Sequence, residues 1–257
     1  MPCRYSPVGP IQILECLQAE GVLGNYLLLV AHDVLADDMG YSLLLDNMHD
    51  PGDADEFIIM DNGVIELGEA MPFGDVLNAA EIALPDCIVM PDILGEFAAT
   101  RNLVEASMHM IVASPVPLMM VPQGQDLSGV VRCIDWLAEE IQPLWPDKNY
   151  WGIPRWIANK CRTRAPVIDY INRLGMDPAP KIHLLGMFDD WEDDLLCSIM
   201  LNVIGIDSAN PIVRGLRGQQ MATLPPVHVP RGNYWETETA INGCVLENIA
   251  YVREAII

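Results

Sequence analysis

Short apolar runs recur along the chain, and most are followed by Gly, Pro or Asp and then by a helical pattern. The clear ones are 26–31 (YLLLVA), 57–60 (FIIM), 87–90 (CIVM), 117–121 (PLMMV), 150–153 (YWGI), 181–185 (KIHLL) and 202–206 (NVIGI). A weaker run at 3–8 (CRYSPV) brings the count to eight. Runs that are apolar on both faces and separated by helical patterns suit buried parallel strands rather than half-exposed antiparallel ones. Between them, 126–141 places Leu127, Val130, Ile134, Leu137 and Ile141 at spacings of three and four, with Asp126 ahead as a cap. In 189–201, Asp189 and Glu192 have the spacing of a capping box, with Trp191, Leu195 and Ile199 along one stripe. Residues 236–257 also carry a helical pattern.

Spacing narrows the fold. The first polar residue after successive strands falls at His32, Asp61, Asp92 and Gln123, at intervals of 29, 31 and 31 residues. Eight such units fill 257 residues with little left over. That predicts an α/β fold of the (β/α)8 TIM-barrel type, one domain over 1–257 with 236–257 as its closing helix. A doubly wound sheet would carry a glycine-rich first turn opening a helix, and no GxGxxG or P-loop motif occurs. No linker or change of composition divides the chain.

In such barrels the chemistry gathers at the C-terminal strand ends, where the loops converge. Those ends read Asp61-Asn62-Gly63, Pro91-Asp92, Pro122-Gln123-Gly124, Gly152-Ile153-Pro154, Gly186-Met187 and Asp207-Ser208. Any one Asp alone reads as a helix N-cap. Three carboxylates and a carboxamide on one mouth read as a ligand site. Crowded carboxylates desolvate one another, which separates an acid role from a nucleophile role, and glycines let backbone amides approach a flat ligand.

Composition sets limits. Apolar residues make up 51% and mean hydropathy is +0.21, which excludes disorder. No apolar run approaches the roughly 18 residues of a membrane span, and MPCRYSPVGP lacks a signal peptide's basic start and apolar run. The seven cysteines are scattered without a CxxC pair, which predicts reduced thiols in the cytoplasm and no cysteine-rich zinc site.

A net charge of −22 argues at first against a polyanionic partner. The distribution changes that. Residues 148–168 hold Lys148, Arg155, Lys160, Arg162 and Arg164 and no acid, and residues 208–235 hold Arg214, Arg217 and Arg231 and no acid. The chain can therefore present one cationic face.

Several segments together resemble the tRNA-guanine transglycosylase family. DNGVIE at 61–66 is similar to its Asp-Ser-Gly-Gly segment, CIVMPDI at 87–93 to the strand ending in its base-recognising Asp, and VPQG at 121–124 to its Val-Gln-Gly. WGIP at 151–154 stands at its Gly-Gly turn. HLLGM at 183–187 and IGIDSANPIVRGLRGQ at 204–219 resemble its His-Leu-Met-Gly and Phe-Asp…Arg-Asn-Gly segments. Order and spacing agree over 57–219. Two departures stand out: the family's Cys-x-Cys-x-x-Cys…His zinc subdomain is reduced to Cys244 and His228, and the chain is short. Such a trimmed chain resembles the phage-encoded branch that installs 7-deazaguanines in DNA, which would act in the host cytoplasm.

The resemblance implies base exchange at an N-glycosidic bond without a cofactor, with nucleic acid (DNA rather than tRNA) and a 7-deazaguanine such as 7-cyano-7-deazaguanine as partners, and the missing ligand spacing after Asp207 predicts no bound metal. Asp207 would be the nucleophile that traps the oxocarbenium-like sugar, and Asp61 the general acid/base. Asp92 would hold the N1–H and exocyclic amine of the purine. Gln123, with Gly124 beside it, and the backbone N–H groups around Gly152 and Ile153 would read its carbonyl oxygen, and Met187 would stack on the ring. The target base must leave its stack. The acid-free stretches follow the strand ends at Gly152 and Asp207, so Arg155, Lys160, Arg162, Arg164, Arg214 and Arg217 would hold phosphates. Trp151, Trp156, Tyr234 and Trp235 would stack on flanking bases. Glu66 has no role beyond solvation in this reading, and His32 and Asp33 either line the sugar side or sit hydrogen-bonded in the core. The rivals are a metal-assisted barrel hydrolase or aldolase using the same carboxylates, and a barrel that has lost activity.

Overall fold

The computed structural model describes residues 2–48, 56–187, 191–223 and 241–256. Eight strands form one all-parallel sheet: β1 Arg4–Pro7, β2 Tyr26–Val30, β3 Phe57–Asp61, β4 Cys87–Val89, β5 Leu118–Met120, β6 Tyr150–Pro154, β7 Lys181–Leu185 and β8 Val203–Ser208. They correspond to the eight apolar runs. Neighbours pair in chain order from β2 to β8, and β8 pairs with β1. At the remaining seam, β1 to β2, the Leu28 N–H donates to Ser6 Oγ at 2.7 Å. The sheet is thus a nearly closed barrel of the (β/α)8 type, with helices between the strands.

The helices that surround it are α1 Ile11–Ala19, α2 Ala31–Ala36, α3 Asp38–Asp46, α4 Val64–Leu67, α5 Phe73–Ala83, α6 Phe97–Ala113, α7 Leu127–Trp136, α8 Trp156–Cys161, α9 Ala165–Arg173, α10 Glu192–Ser198, α11 Asn210–Leu216 and α12 Gly243–Ala255. Asp126 caps α7 as its position predicts, its side chain accepting from the Gly129 N–H at 2.7 Å. A wide π turn at Leu137–Ile141 carries the same buried stripe onward. The expected stripe of α10 is shorter than its pattern. The helix stops at Ser198, and Ile199 at its C-cap lies 69% exposed. Asp189 of the expected capping box lies outside the described residues. The closing helix begins at Gly243, capped by the Asn242 side chain, and Arg253 ties it to the Leu23 carbonyl ahead of β2 at 2.8 Å. Residues 224–240, with His228, Arg231, Tyr234 and Trp235, are outside the described residues. Among the described residues no helix is long and apolar enough to cross a membrane.

Two local features decide what the barrel interior holds. A Cβ on Gly205 would fall 2.2 Å from the Tyr26 ring, so only glycine there lets that aromatic lie across β8. Between β7 and β8 the register slips, Ile182 facing Val203 but His183 facing Gly205. Such a bulge re-aims side chains, here that of His183 within the barrel.

Candidate active site

One cavity of about 130 Å³ opens at the C-terminal end of the barrel. Every strand gives it a side chain from its last residues or just beyond, namely Val8, Val30, Asp61, Val89, Val121, Pro154, Leu185 and Asp207, and β2 adds Leu28. Six of the eight strand-end residues are apolar and two are aspartates. Asp92, from the loop after β4, joins them, with Glu66, Arg155, Trp156, Asn159 and Gly186 also on the wall. The three aspartates singled out from the sequence therefore share one concave site.

Their environments differ. Burial pushes Asp61 well above the usual carboxylate range; the Glu66 charge adds to this, the Gly63 N–H (3.0 Å) opposes it, and Asp207 and Asp92 raise it further. Gly63 sits at a left-handed φ of +73° where a Cβ would meet His32 Nδ1 at 2.9 Å, so this tight turn needs glycine. Burial also raises Asp92, to about 6, against two hydrogen bonds that favour its anion. These come from Asn62 Nδ2 to Oδ1 at 2.7 Å and from Gln123 Nε2 to Oδ2 at 2.5 Å. The Gln123 carbonyl in turn accepts from the Gly95 N–H at 2.8 Å and Trp156 Nε1 at 2.7 Å, which fixes the amide's orientation. Asp207 accepts from His183 Nε2 at 2.9 Å and from the Gly186 N–H at 2.9 Å. His183 is fully buried, and its Nδ1 lies 2.7 Å from the Tyr26 hydroxyl.

Other expected site residues are placed differently. Strand β6 runs on to Pro154, so Gly152 and Ile153 pair with His183 and Leu184 inside the sheet instead of opening toward a ligand. A Cβ on Gly152 would meet Leu185 at 2.6 Å, and one on Gly124 would meet the α7 backbone at 2.4 Å. Both glycines serve packing. Met187 is 2% exposed and belongs to the core cluster, not to the cavity wall. Trp151 is buried, donating to Asn149 Oδ1 at 2.6 Å, whereas Trp156 does line the cavity. Glu66, expected only to be solvated, lies on the wall. His32 stands 3.5 Å from Asp33, and its Nδ1 is buried with no hydrogen-bond partner among the described residues. Tyr26, Asn62 and His183 were not marked by pattern, because their partners lie on other strands.

The phosphate-binding set also needs correction. Arg164 is fully buried, ion-paired with buried Asp194, and donates to the carbonyls of Ile153 (3.2 Å) and Gly186 (3.1 Å). It ties the ends of β6 and β7 together. Arg214 is also buried; its Nε donates to Asn210 Oδ1 at 3.1 Å and its guanidinium lies over Trp191. Neither is available to a phosphate. Arg155 is half-buried on the cavity wall, while Lys160, Arg162 and Arg217 are exposed. Among the described residues no group of three His, Cys, Asp or Glu side chains is arranged to hold a metal ion. No protein-family model and no curated protein matches the chain.

Two outcomes check this account. Arg164→Ala strands the Asp194 carboxylate in the interior and should lower unfolding free energy by about 3–5 kcal/mol. Arg162→Ala, two residues away on the surface, should change it by about 0.5 kcal/mol or less; urea midpoints measure both. The second concerns pH. Because the folded Asp92 binds its proton more tightly than an unfolded Asp, at about 6 against 3.8, stability falls as pH rises between those values and then levels off. A shift of that size is worth about 3 kcal/mol. Urea midpoints taken from pH 4 to pH 7 should show this decline in the wild type and a shallower one in Asp92→Asn.

Proposed function

We propose that the protein is a base-exchange transglycosylase that replaces guanine in nucleic acid, DNA in preference to tRNA, with a 7-deazaguanine base. The observation that carries this reading is the meeting of Asp61, Asp92 and Asp207 in one cavity whose other strand-end residues are apolar. At about 130 Å³ the cavity is smaller than the roughly 150 Å³ void that takes one benzene ring, so a purine would fill it with one edge and keep the rest of its ring, the sugar and the phosphate in the open mouth. The resemblance of residues 57–219 to guanine transglycosylases supports the same roles.

The chemistry divides among the three carboxylates. Asp207 attacks the sugar C1′; the C1′–N9 bond breaks, its electron pair passes to the departing guanine, and Asp61, kept protonated by burial, supplies the proton. The incoming base then returns a proton from N9 to Asp61. Its nitrogen pair forms the new C1′ bond, and the ester bond to Asp207 breaks with its electrons returning to the carboxylate. Protons balance over the cycle. Asp92 retains acceptor capacity on both oxygens for the N1–H and exocyclic amine of the base. Gln123, expected to read the carbonyl oxygen, is fully buried behind Asp92 and off the cavity wall, so it serves the base by orienting the Asp92 carboxylate. Trp156 offers a ring face at the wall. Arg155 on the wall and the exposed Lys160 and Arg162 offer cations to the phosphates. Seven free thiols suit the reducing cytoplasm, that of the host if the chain is phage-encoded.

Asp207→Asn should abolish the covalent protein–nucleic acid adduct, read by denaturing gel or intact mass, and turnover with it. Asp92→Asn should instead raise KM for the free base about tenfold or more, because an amide N–H then confronts a donor edge. Base exchange by Asp207→Asn at the wild-type rate would refute the assignment. For the polymer, log Kd should change with log salt at about 0.9 per phosphate neutralised. Lys160→Ala and Arg162→Ala should each flatten that slope by up to about one and weaken oligonucleotides of different sequence alike. Arg164 and Arg214 fall outside this test because they are interior. A slope that is flat, or indifferent to both substitutions, would indicate a nucleoside substrate.

A further inference from the structure

We propose that Tyr26 and His183 form a positioning pair that locks the Asp207 carboxylate so that Oδ2, and not Oδ1, attacks the sugar; this rests on the transglycosylase reading above. Two donors converge on Oδ1, His183 Nε2 and the Gly186 N–H, each at 2.9 Å. Among the described residues no donor reaches Oδ2. The Asp207 side chain is 12% exposed and lies on the cavity wall. A carboxylate pinned through one oxygen from two directions cannot rotate about its terminal bond, so its other oxygen keeps a fixed aim into the cavity.

The proton on the imidazole is what makes this work. His183 stabilises Oδ1 only if Nε2 carries the hydrogen, and the group that decides this is the Tyr26 hydroxyl, 2.7 Å from Nδ1. Burial drives the Tyr26 phenol well above its ordinary range, despite the Arg4 guanidinium over the ring at 4.3 Å. The hydroxyl therefore keeps its proton and donates a hydrogen bond to Nδ1. That leaves Nδ1 as acceptor and Nε2 as donor. The fold makes room for this arrangement in two places: Gly205 lacks the Cβ that would collide with Tyr26, and the register slip brings His183 opposite it. In the covalent intermediate Oδ1 becomes the ester carbonyl and keeps both donors. When the incoming base displaces Asp207, the same two donors receive the returning negative charge.

The test uses the full chain with 15N-labelled histidine. Two-bond nitrogen–carbon-proton correlations of His183 should show a pyrrole-type Nε2 and a pyridine-type Nδ1. Tyr26→Phe removes only the hydroxyl and should give a tautomer mixture. The same variant should slow single-turnover formation of the covalent adduct by about 10–100-fold, with KM for the free base unchanged within about twofold. His183→Gln places an amide donor near Oδ1 that does not depend on a tautomer, so adding Tyr26→Phe to it should slow the reaction no further. An Nδ1–H or imidazolium ring in the wild type overturns the pair, as does adduct formation in Tyr26→Phe at the wild-type rate. Equal slowing by Tyr26→Phe in both backgrounds overturns it too. A protein that shows the Nε2–H signal and its loss in Tyr26→Phe, yet exchanges no base, refutes the transglycosylase reading while the pair stands.

Discussion

A closed parallel barrel admits only a few inward side chains at each level of its axis, because neighbouring strands alternate in register and every second residue points out. All else in this protein depends on that constraint. Around the mouth every strand contributes at least one residue, and six of the eight strand-end residues are apolar. Two aspartates set into such a ring lose most of their water. Their chemistry is determined by the few polar atoms that remain within reach.

Those atoms separate the carboxylates. Asp61 has one backbone N–H and a nearby Glu66 charge, so burial dominates and holds its carboxyl well above the usual carboxylate range. Asp92 is held by two carboxamides and ends near 6, between an ordinary Asp and a buried one. Asp207 is braced by an imidazole and a backbone amide. One residue type thus acquires three different environments through differences of a few hydrogen bonds.

The positive charges are divided between interior and surface. Arg164 joins β6, β7 and the buried Asp194, and its bond to the Gly186 carbonyl lies one peptide from the N–H that braces Asp207. Arg214 anchors α11 against Trp191. A stretch free of acids reads as a cationic surface only while its arginines are assumed to face solvent. Here the balancing carboxylate of Arg164 comes from α10, thirty residues downstream, and short-range charge counting does not see it.

The eight strands were legible because a strand buried on both faces must be apolar throughout, and their spacing of about thirty residues left one way to fill the chain. Asp61, Asp92 and Asp207 were legible for a related reason: a carboxylate directly after an apolar run is conspicuous, and the barrel brings all strand ends to one side. Tyr26 and His183 were not, since each sits in an apolar run and acquires meaning only from a partner 157 residues away in the chain. The same holds for Gly124 and Gly152, which look like ligand-facing turns but are required by close packing. Local pattern determined the elements and the level of the barrel at which each polar residue stands. Which residues meet, which arginines are buried and which oxygen of Asp207 remains free were decided only by the closure of the sheet, because those contacts join segments that the chain keeps far apart.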